Sequence, residues 1–216
     1  MDRLITFSGV DGCGKSTQIG LLTRRLREDG KTPVVAWYRP GYSRLLDETR
    51  RYLRRTLRSF PAPGPSAARD RTFKRPAVRW AWLSAALTDA LLHHALFVRT
   101  ELARKGVVLA DRWVWDATID LQLRFPELGV GLERWMSWTA ALAPRAEVSF
   151  LLSVSDRIAD ERQRGKHEPF PDSAPTAAAR RQMYRQLAKN SNLTLIDADR
   201  NKETVHQDIW DRVCER

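Results

Sequence analysis

The chain has 216 residues, 43% of them hydrophobic, and its 37 Lys and Arg against 26 Asp and Glu give a formal net charge of +11. This length and composition suit one α/β core, so we expect a single domain over residues 1–216. Because no apolar run approaches the length of a membrane span and no signal segment opens the chain, the expected location is the cytoplasm. The two cysteines, Cys13 and Cys214, are too few and too far apart for a disulfide framework or a zinc site.

The basic balance permits a polyanion such as nucleic acid as a partner. The excess arginine is scattered along the chain, however, and the sequence carries no zinc finger, RNA-binding signature or basic tail. Nucleic acid is therefore possible as a partner but not favoured.

The first motif in the chain is GVDGCGKS at residues 9–16, which has the spacing G-x-x-x-x-G-K-[ST]. Its glycines allow the loop to curl with its N–H groups pointing at a polyphosphate. Lys15 is expected to reach the terminal phosphates, and Ser16 to hold the Mg²⁺ that bridges them. The predicted nucleotide-binding residues of this loop are Gly9, Gly12, Cys13, Gly14, Lys15, Ser16 and Thr17.

The surroundings of the motif fit this interpretation. A phosphate loop must follow a strand and precede a helix. An apolar, β-prone run at residues 4–10 precedes it, and residues 18–29 carry leucines at helical spacing before Gly30. The sequence therefore predicts that the chain binds a nucleoside triphosphate.

Strands and helices alternate along the rest of the chain. Further strands are predicted at residues 32–38, 106–111, 147–154 and 193–198. Helices are predicted at 43–57, 76–105, 114–124, 132–142, 155–164, 177–189 and 203–215, and a proline-rich loop at 60–72. This order predicts a doubly wound, five-stranded parallel sheet flanked by helices, with ligands at the carboxyl ends of the strands.

Four segments together resemble the thymidylate kinase family of nucleoside monophosphate kinases. They are GVDGCGKSTQ at 9–18, RPG at 39–41, VVLADRW at 107–113 and LLSVSDRIADERQRG at 151–165. The resemblance implies a phosphate-loop kinase with a lid at about 163–173. It also implies phosphoryl transfer from ATP, with Mg²⁺, to a nucleoside monophosphate.

The resemblance assigns roles to residues around the phosphate loop. Arg39 and Arg112 should grip the acceptor phosphate, because a guanidinium suits bidentate contact with phosphate oxygens. Asp111 should bind Mg²⁺ together with Ser16, and Asp11 should bind a sugar hydroxyl of the acceptor.

Two further regions have roles implied by the family. Either Arg162 or Arg164, at the start of the lid, should stabilise charge on the moving phosphoryl group. The stretch from Asp197 to Arg200, after the last strand, should lie beside the donor adenine.

The sequence departs from the family in the pocket for the acceptor base. The family's stacking phenylalanine and edge-reading arginine fall at Ala86 and Ala90, and Asp120 stands where the family has an aromatic residue. Trp82, about one turn from Ala86, either restores an aromatic wall or belongs to the core. The predicted function is therefore thymidylate kinase-like, with an altered acceptor-base pocket formed by Trp82, Ala86, Ala90 and Asp120.

Three other functions stay open at this point. The acceptor is a metabolite other than a nucleotide, or it is nucleic acid, or the chain binds nucleotides without turning them over. The family resemblance also makes a homodimer possible.

Overall fold

The computed structural model describes residues 3–41, 74–164, 172–190 and 192–215. The strands are β1 (Arg3–Ser8), β2 (Val34–Trp37), β3 (Val107–Asp111), β4 (Val148–Ser153) and β5 (Thr194–Asp197). The helices are α1 (Lys15–Glu28), α2 (Pro76–Leu91), α3 (Val98–Lys105), α4 (Val114–Arg124), α5 (Gly129–Leu142), α6 (Asp156–Arg164), α7 (Ala174–Asn190) and α8 (Lys202–Cys214). A π-helical turn, Leu92–Phe97, joins α2 to α3, and a short 3₁₀ turn, Pro126–Leu128, precedes α5.

The five strands form one sheet in the order β2-β3-β1-β4-β5, and every pair is parallel. This confirms the predicted parallel α/β sheet. Phe7 of β1 pairs with Asp111 of β3, and Ser153 of β4 pairs with Asp197 of β5, so the carboxyl ends of these strands meet at one edge. The phosphate loop follows β1 at the centre of that edge, which is where a doubly wound sheet binds its ligands.

The sheet separates two apolar cores. Neighbouring side chains of a strand point to opposite faces, so Val108 of β3 packs with Met136 of α5, while Leu109 packs with Leu22 of α1 and Ile209 of α8. Helices therefore cover both faces of the sheet.

The helical stretch Pro76–Lys105 has the length and hydropathy of a membrane span, by composition alone, within the described residues. This differs from the expectation that no apolar run approaches that length. Part of the stretch is buried: Ala86, Ala90, His94 and Val98 have no exposed surface. Ala86, Ala90 and Val98 belong to the apolar core that packs on the sheet, and a core helix of this kind passes the same test.

Some predicted elements fall outside the described residues. They are the helix at 43–57, the loop at 60–72, and residues 165–171 of the lid. The lid prediction therefore stays a prediction.

Candidate functional site

The backbone of the phosphate loop, residues 9–16, takes conformations that favour glycine, as Gly9 and Gly12 illustrate. Gly9 has φ +142° and Gly12 has φ +83°, both in the region that favours glycine. A Cβ on Gly9 would lie 2.6 Å from the carbonyl oxygen of Leu152, and one on Gly12 would lie 2.8 Å from that of Ala159. The loop is thus pressed closely against the end of β4 and against α6.

Lys15 lies at the first position of α1 and folds back into the loop. Its Nζ donates hydrogen bonds to the carbonyl oxygens of Gly9 (2.7 Å) and Val10 (2.9 Å), and the residue is 7% exposed. The N-terminus of α1, which begins at Lys15, lies at the same loop, and its unpaired N–H groups give it a positive partial charge. The ammonium and the helix end together form a site for an anion.

Ser16 and Asp111 line one groove between α1 and the ends of β2 and β3. Burial raises the pKa of Asp111, whereas the charges of Lys15 and Arg112 act in the opposite direction. A hydroxyl and a carboxylate are hard oxygen ligands of the kind that Mg²⁺ takes from a protein when phosphates supply the others. These residues therefore fit a magnesium ion.

Arg112 follows β3 in an unusual backbone conformation. Its φ is +75°, within the described residues the one positive value outside glycine, and its N–H donates to the carbonyl oxygen of Phe7 at 2.9 Å. Its buried guanidinium donates a hydrogen bond to the carboxylate of Asp11. A strained residue persists only where the surrounding structure holds it in place, and such residues cluster at functional sites.

The charges around Asp11 favour its ionised form. Burial on its own would raise the pKa of Asp11, but Arg112, Lys15 and Arg39 outweigh burial and lower it. Burial on its own would lower the pKa of Arg112, but the charge of Asp11, together with those of Tyr184, Asp120 and Asp116, outweighs burial and raises it. The pair is thus a carboxylate and a guanidinium that stabilise each other at the edge of the sheet.

Asp116 of α4 belongs to the same site, although the sequence analysis gave it no role. It is completely buried and accepts hydrogen bonds from the hydroxyls of Ser8 and Tyr184 and from the N–H of Trp113 at 2.8 Å. The N–H of Gly9 is 3.5 Å away. This carboxylate therefore connects β1, the phosphate loop and helices α4 and α7. Its place three residues after the helix N-cap was the available signal.

Arg39 and Asp120, both predicted acceptor residues, lie together. The Nε of Arg39 is 3.3 Å from Oδ2 of Asp120. Arg180 of α7, which the sequence analysis did not identify, donates to Oδ1 of Asp120 and, through Nε, to Asp172 at 2.7 Å. The acceptor side of the site thus contains a chain of alternating charges.

Ala86 and Ala90 lie in the core cluster on the face of the sheet covered by α2. Trp82, on the same helix, is partly buried, with the guanidinium of Arg124 over its ring at 4.3 Å and the ring of Phe125 at 5.6 Å. The assignment of Trp82, Ala86 and Ala90 to the acceptor pocket stays a prediction.

The structure places the two candidate lid arginines differently. Nη1 of Arg162 donates to the carbonyl oxygen of Ala198 at 3.0 Å and lies 4.0 Å from where a Cβ of Gly14 would be. Arg164 is exposed at the end of α6 and has no ion pair or hydrogen bond with the residues the structure describes. Among the residues predicted beside the donor base, Arg200 donates to the carbonyl oxygen of Asp197 at 3.2 Å. Of the two candidate lid arginines, Arg162 is therefore the one that lies beside the phosphate loop.

Comparison with known proteins identifies relatives along almost the whole chain. No protein-family model matches. The chain is 29% identical over 218 residues to the thymidylate kinase of Halothermothrix orenii, and the alignment covers 97% of this chain and 95% of the relative. It is 32% identical to the thymidylate kinase of Pseudomonas putida strain GB-1, over 95% of this chain and 91% of the relative. It is 30% identical to that of Trichodesmium erythraeum, over 96% of this chain and 92% of the relative.

The comparisons agree with the parallel α/β sheet described above. An identity of 30% or more over nine-tenths of both chains is too extensive to arise from the phosphate loop alone. The chain belongs to the thymidylate kinase family and is a phosphotransferase.

Proposed function

We propose that this enzyme transfers a phosphoryl group from ATP, with Mg²⁺, to a nucleoside monophosphate. The observation that carries the proposal is the hydrogen bond between Arg112 and Asp11. It joins the end of β3 to the phosphate loop, so that residues suited to a phosphate donor and to a phosphate acceptor lie at one edge of the sheet. Phosphoryl transfer requires this alignment and charge neutralisation more than covalent help from the protein.

On the donor side, the loop N–H groups, Lys15 and the N-terminus of α1 bind the phosphates of ATP. Ser16 and Asp111 hold the magnesium ion, which neutralises charge on the phosphate oxygens when bound. Arg162 lies against the loop and Ala198, where it stabilises the transferred group or the adenine, and Arg164 is the second candidate for the lid role. Asp197 and Arg200 complete the adenine side.

On the acceptor side, Arg112 and Arg39 bind the acceptor phosphate from two directions. Asp11 accepts a hydrogen bond from a sugar hydroxyl while it also orients Arg112. Because Arg112 is held by its strained backbone and by Asp11, its fork is in place before the acceptor arrives.

The residues that we assign to the acceptor-base pocket differ from those of the family's pattern. The relatives are named thymidylate kinases, so thymidylate is the first acceptor to test. A pocket with Ala86 and Ala90 provides neither the stacking ring nor the edge-reading arginine, which predicts weak use of thymidylate.

We also propose that the enzyme is a homodimer of the cytoplasm. Exposed apolar side chains lie on two helical segments that contact each other, the π-helical turn and α5. They are Leu92, Leu96, Phe97, Trp135, Trp138 and Leu142. Association of two copies through this face would remove these side chains from water.

The test is an ADP-release assay with ATP, Mg²⁺ and a panel of nucleoside monophosphates. Lys15→Ala is the blank, and Lys105→Ala, at an exposed helix end, is the matched control that should keep full activity. Turnover of at least one monophosphate that vanishes in the blank supports the proposal. ATP binding without turnover of any monophosphate contradicts it and favours another acceptor or a non-catalytic nucleotide-binding role.

A further inference from the structure

One oxygen of a buried carboxylate in the acceptor region lacks a hydrogen bond. The side chain of Asp120 is 9% exposed. Its Oδ1 accepts a hydrogen bond from Arg180, but its Oδ2, 3.3 Å from Nε of Arg39, forms none with the residues described. Buried polar atoms are almost always hydrogen-bonded, so an exception points to water, an ion or a ligand.

Arg180 fixes the orientation of this carboxylate. It is 5% exposed and is held between Asp120 on one side and Asp172, at 2.7 Å, on the other. Burial lowers the pKa of Arg180, but the two carboxylates raise it above its usual value, so the guanidinium stays charged. With Oδ1 committed to Arg180, Oδ2, which is ion-paired with Arg39 but accepts no hydrogen bond from the described residues, is the oxygen of Asp120 left to accept one.

The position of Asp120 relates it to the acceptor rather than to ATP. Asp120, Arg180 and Arg39 line one cavity, together with Arg124 and Thr176. The charge of Asp120 raises the pKa of Arg112, and the charge of Arg180 lowers that of Asp11. The cavity is thus lined by Arg39, which we assign to the acceptor phosphate, and its charges act on Arg112 and Asp11.

We propose that Asp120 is a specificity residue whose Oδ2 accepts a hydrogen bond from a hydroxyl or amino group of the acceptor nucleoside. The inference rests on the proposed transfer to a nucleoside monophosphate. A site with a buried hydrogen-bonding group rejects an analogue without the partner, because the buried group is then left unsatisfied. The donor is either the 2′-hydroxyl of a ribose or an exocyclic amine of the base, both of which thymidylate lacks.

The experiment measures kcat/KM for UMP, dUMP, CMP, dCMP and dTMP. A preference of UMP over dUMP identifies the sugar hydroxyl, and a preference of dCMP over dUMP identifies the base amine. We expect one of these ratios to be about tenfold or more, as for a hydrogen bond to a charged acceptor.

Asp120→Asn then tests the residue itself. Arg180 requires an acceptor, so the new amide directs its oxygen to Arg180 and its N–H groups to the nucleoside, where a donor meets a donor. The preference should fall to within about twofold of one. Asp156→Asn, the same change at an exposed carboxylate paired with Arg185, should keep the wild-type ratios.

The outcomes separate this inference from the proposed function. Turnover without preference in either wild-type pair overturns the inference and leaves the proposed function standing. An equal loss for all acceptors in Asp120→Asn also overturns it and limits Asp120 to neutralising Arg39 and Arg180. If no monophosphate is turned over while ATP binds, both are overturned. Since the wild-type ratios are measured without a variant, a misfolded Asp120→Asn does not remove the test.

Discussion

The guanidinium of Arg112 donates a hydrogen bond to the carboxylate of Asp11, and this pair bridges the end of β3 and the phosphate loop. Two segments separated by about a hundred residues in sequence thereby contribute to one site. In the reaction that we propose, the pair lies between a donor nucleotide on the loop and the phosphate of the acceptor.

We predict that Arg112→Lys lowers kcat/KM for the acceptor by about 30-fold to 100-fold. Lysine keeps the charge but loses the planar fork that contacts both a phosphate and Asp11. ATP affinity, measured by titration, should change by less than about twofold, because the loop and Lys15 are intact. Arg104→Lys, at an exposed arginine that pairs with Glu101, is the control. Full acceptor turnover by Arg112→Lys would contradict the assignment.

Gly9→Ala should abolish ATP binding or lower the free energy of unfolding by about 2 kcal/mol or more. The new Cβ would lie 2.6 Å from the carbonyl oxygen of Leu152, at a φ of +142°. Gly20→Ala in α1 is the matched control, since its Cβ has no neighbour within 4 Å. There the exchange should stabilise the helix by about 0.5–1 kcal/mol. Urea unfolding and ATP titration of both variants measure the difference.

Asp116→Asn should destabilise the enzyme by about 2–3 kcal/mol. The two carboxylate oxygens accept hydrogen bonds from the hydroxyls of Ser8 and Tyr184 and from the Trp113 N–H, whereas an amide has one oxygen and cannot accept all three. Tyr184→Phe, which removes one donor and leaves the carboxylate, should cost about half as much. Asp160→Asn, at a carboxylate that is half exposed and paired with Arg181, should change stability by less than about 1 kcal/mol. Denaturant unfolding of the three variants measures how much the hydrogen bonds to Asp116 contribute to the free energy of unfolding.

Acid should destabilise the fold through His93 and His94. Burial lowers the pKa of His93 to about 4, and burial, reinforced by His93, lowers that of His94 well below its usual value. The unfolded chain binds these protons at about pH 6.5 and the folded chain does not, so this contribution to stability is complete above pH 6.5 and declines as pH falls toward 4.

The measurement for this prediction is urea unfolding between pH 7.5 and 4.5. His93→Gln should lose about 2 kcal/mol less stability over this range than the wild type, since the glutamine does not titrate. His206→Gln, at a more accessible histidine, should follow the wild type more closely. Identical pH profiles for His93→Gln and the wild type would contradict the prediction.

The proposed dimer face can be tested with Trp138→Glu. Trp138 is 66% exposed on α5, within the apolar face, and a charge there should shift the enzyme from dimer to monomer in light scattering. Trp80→Glu is the control. Trp80 is 57% exposed, but it lies beside Leu83 and Phe125 near the start of α2, outside the apolar face, so a charge there should leave the dimer intact. A monomeric wild type would contradict the dimer proposal directly.

Local patterns predicted the features of this protein that depend on neighbours in sequence. The glycine spacing and the following helix determined the phosphate loop, and the uniformly apolar run before Asp111 determined a buried parallel strand. These features were predictable because backbone freedom and apolar periodicity are properties of a short stretch of chain. Family motifs then identified Asp11, Arg39 and Arg112 as candidate site residues.

The tertiary structure alone decided which distant side chains meet. Asp116 contacts Ser8 and Tyr184, and Arg180 contacts Asp120, across separations of 60 to 108 residues in sequence. No periodicity marks such pairs, because they depend on how helices α4 and α7 pack beside the sheet. The sequence by itself therefore determined a phosphate-loop kinase and predicted a changed acceptor pocket. The folded chain decided which charged side chains lie together, since buried charges are stable only beside the partners that packing brings to them.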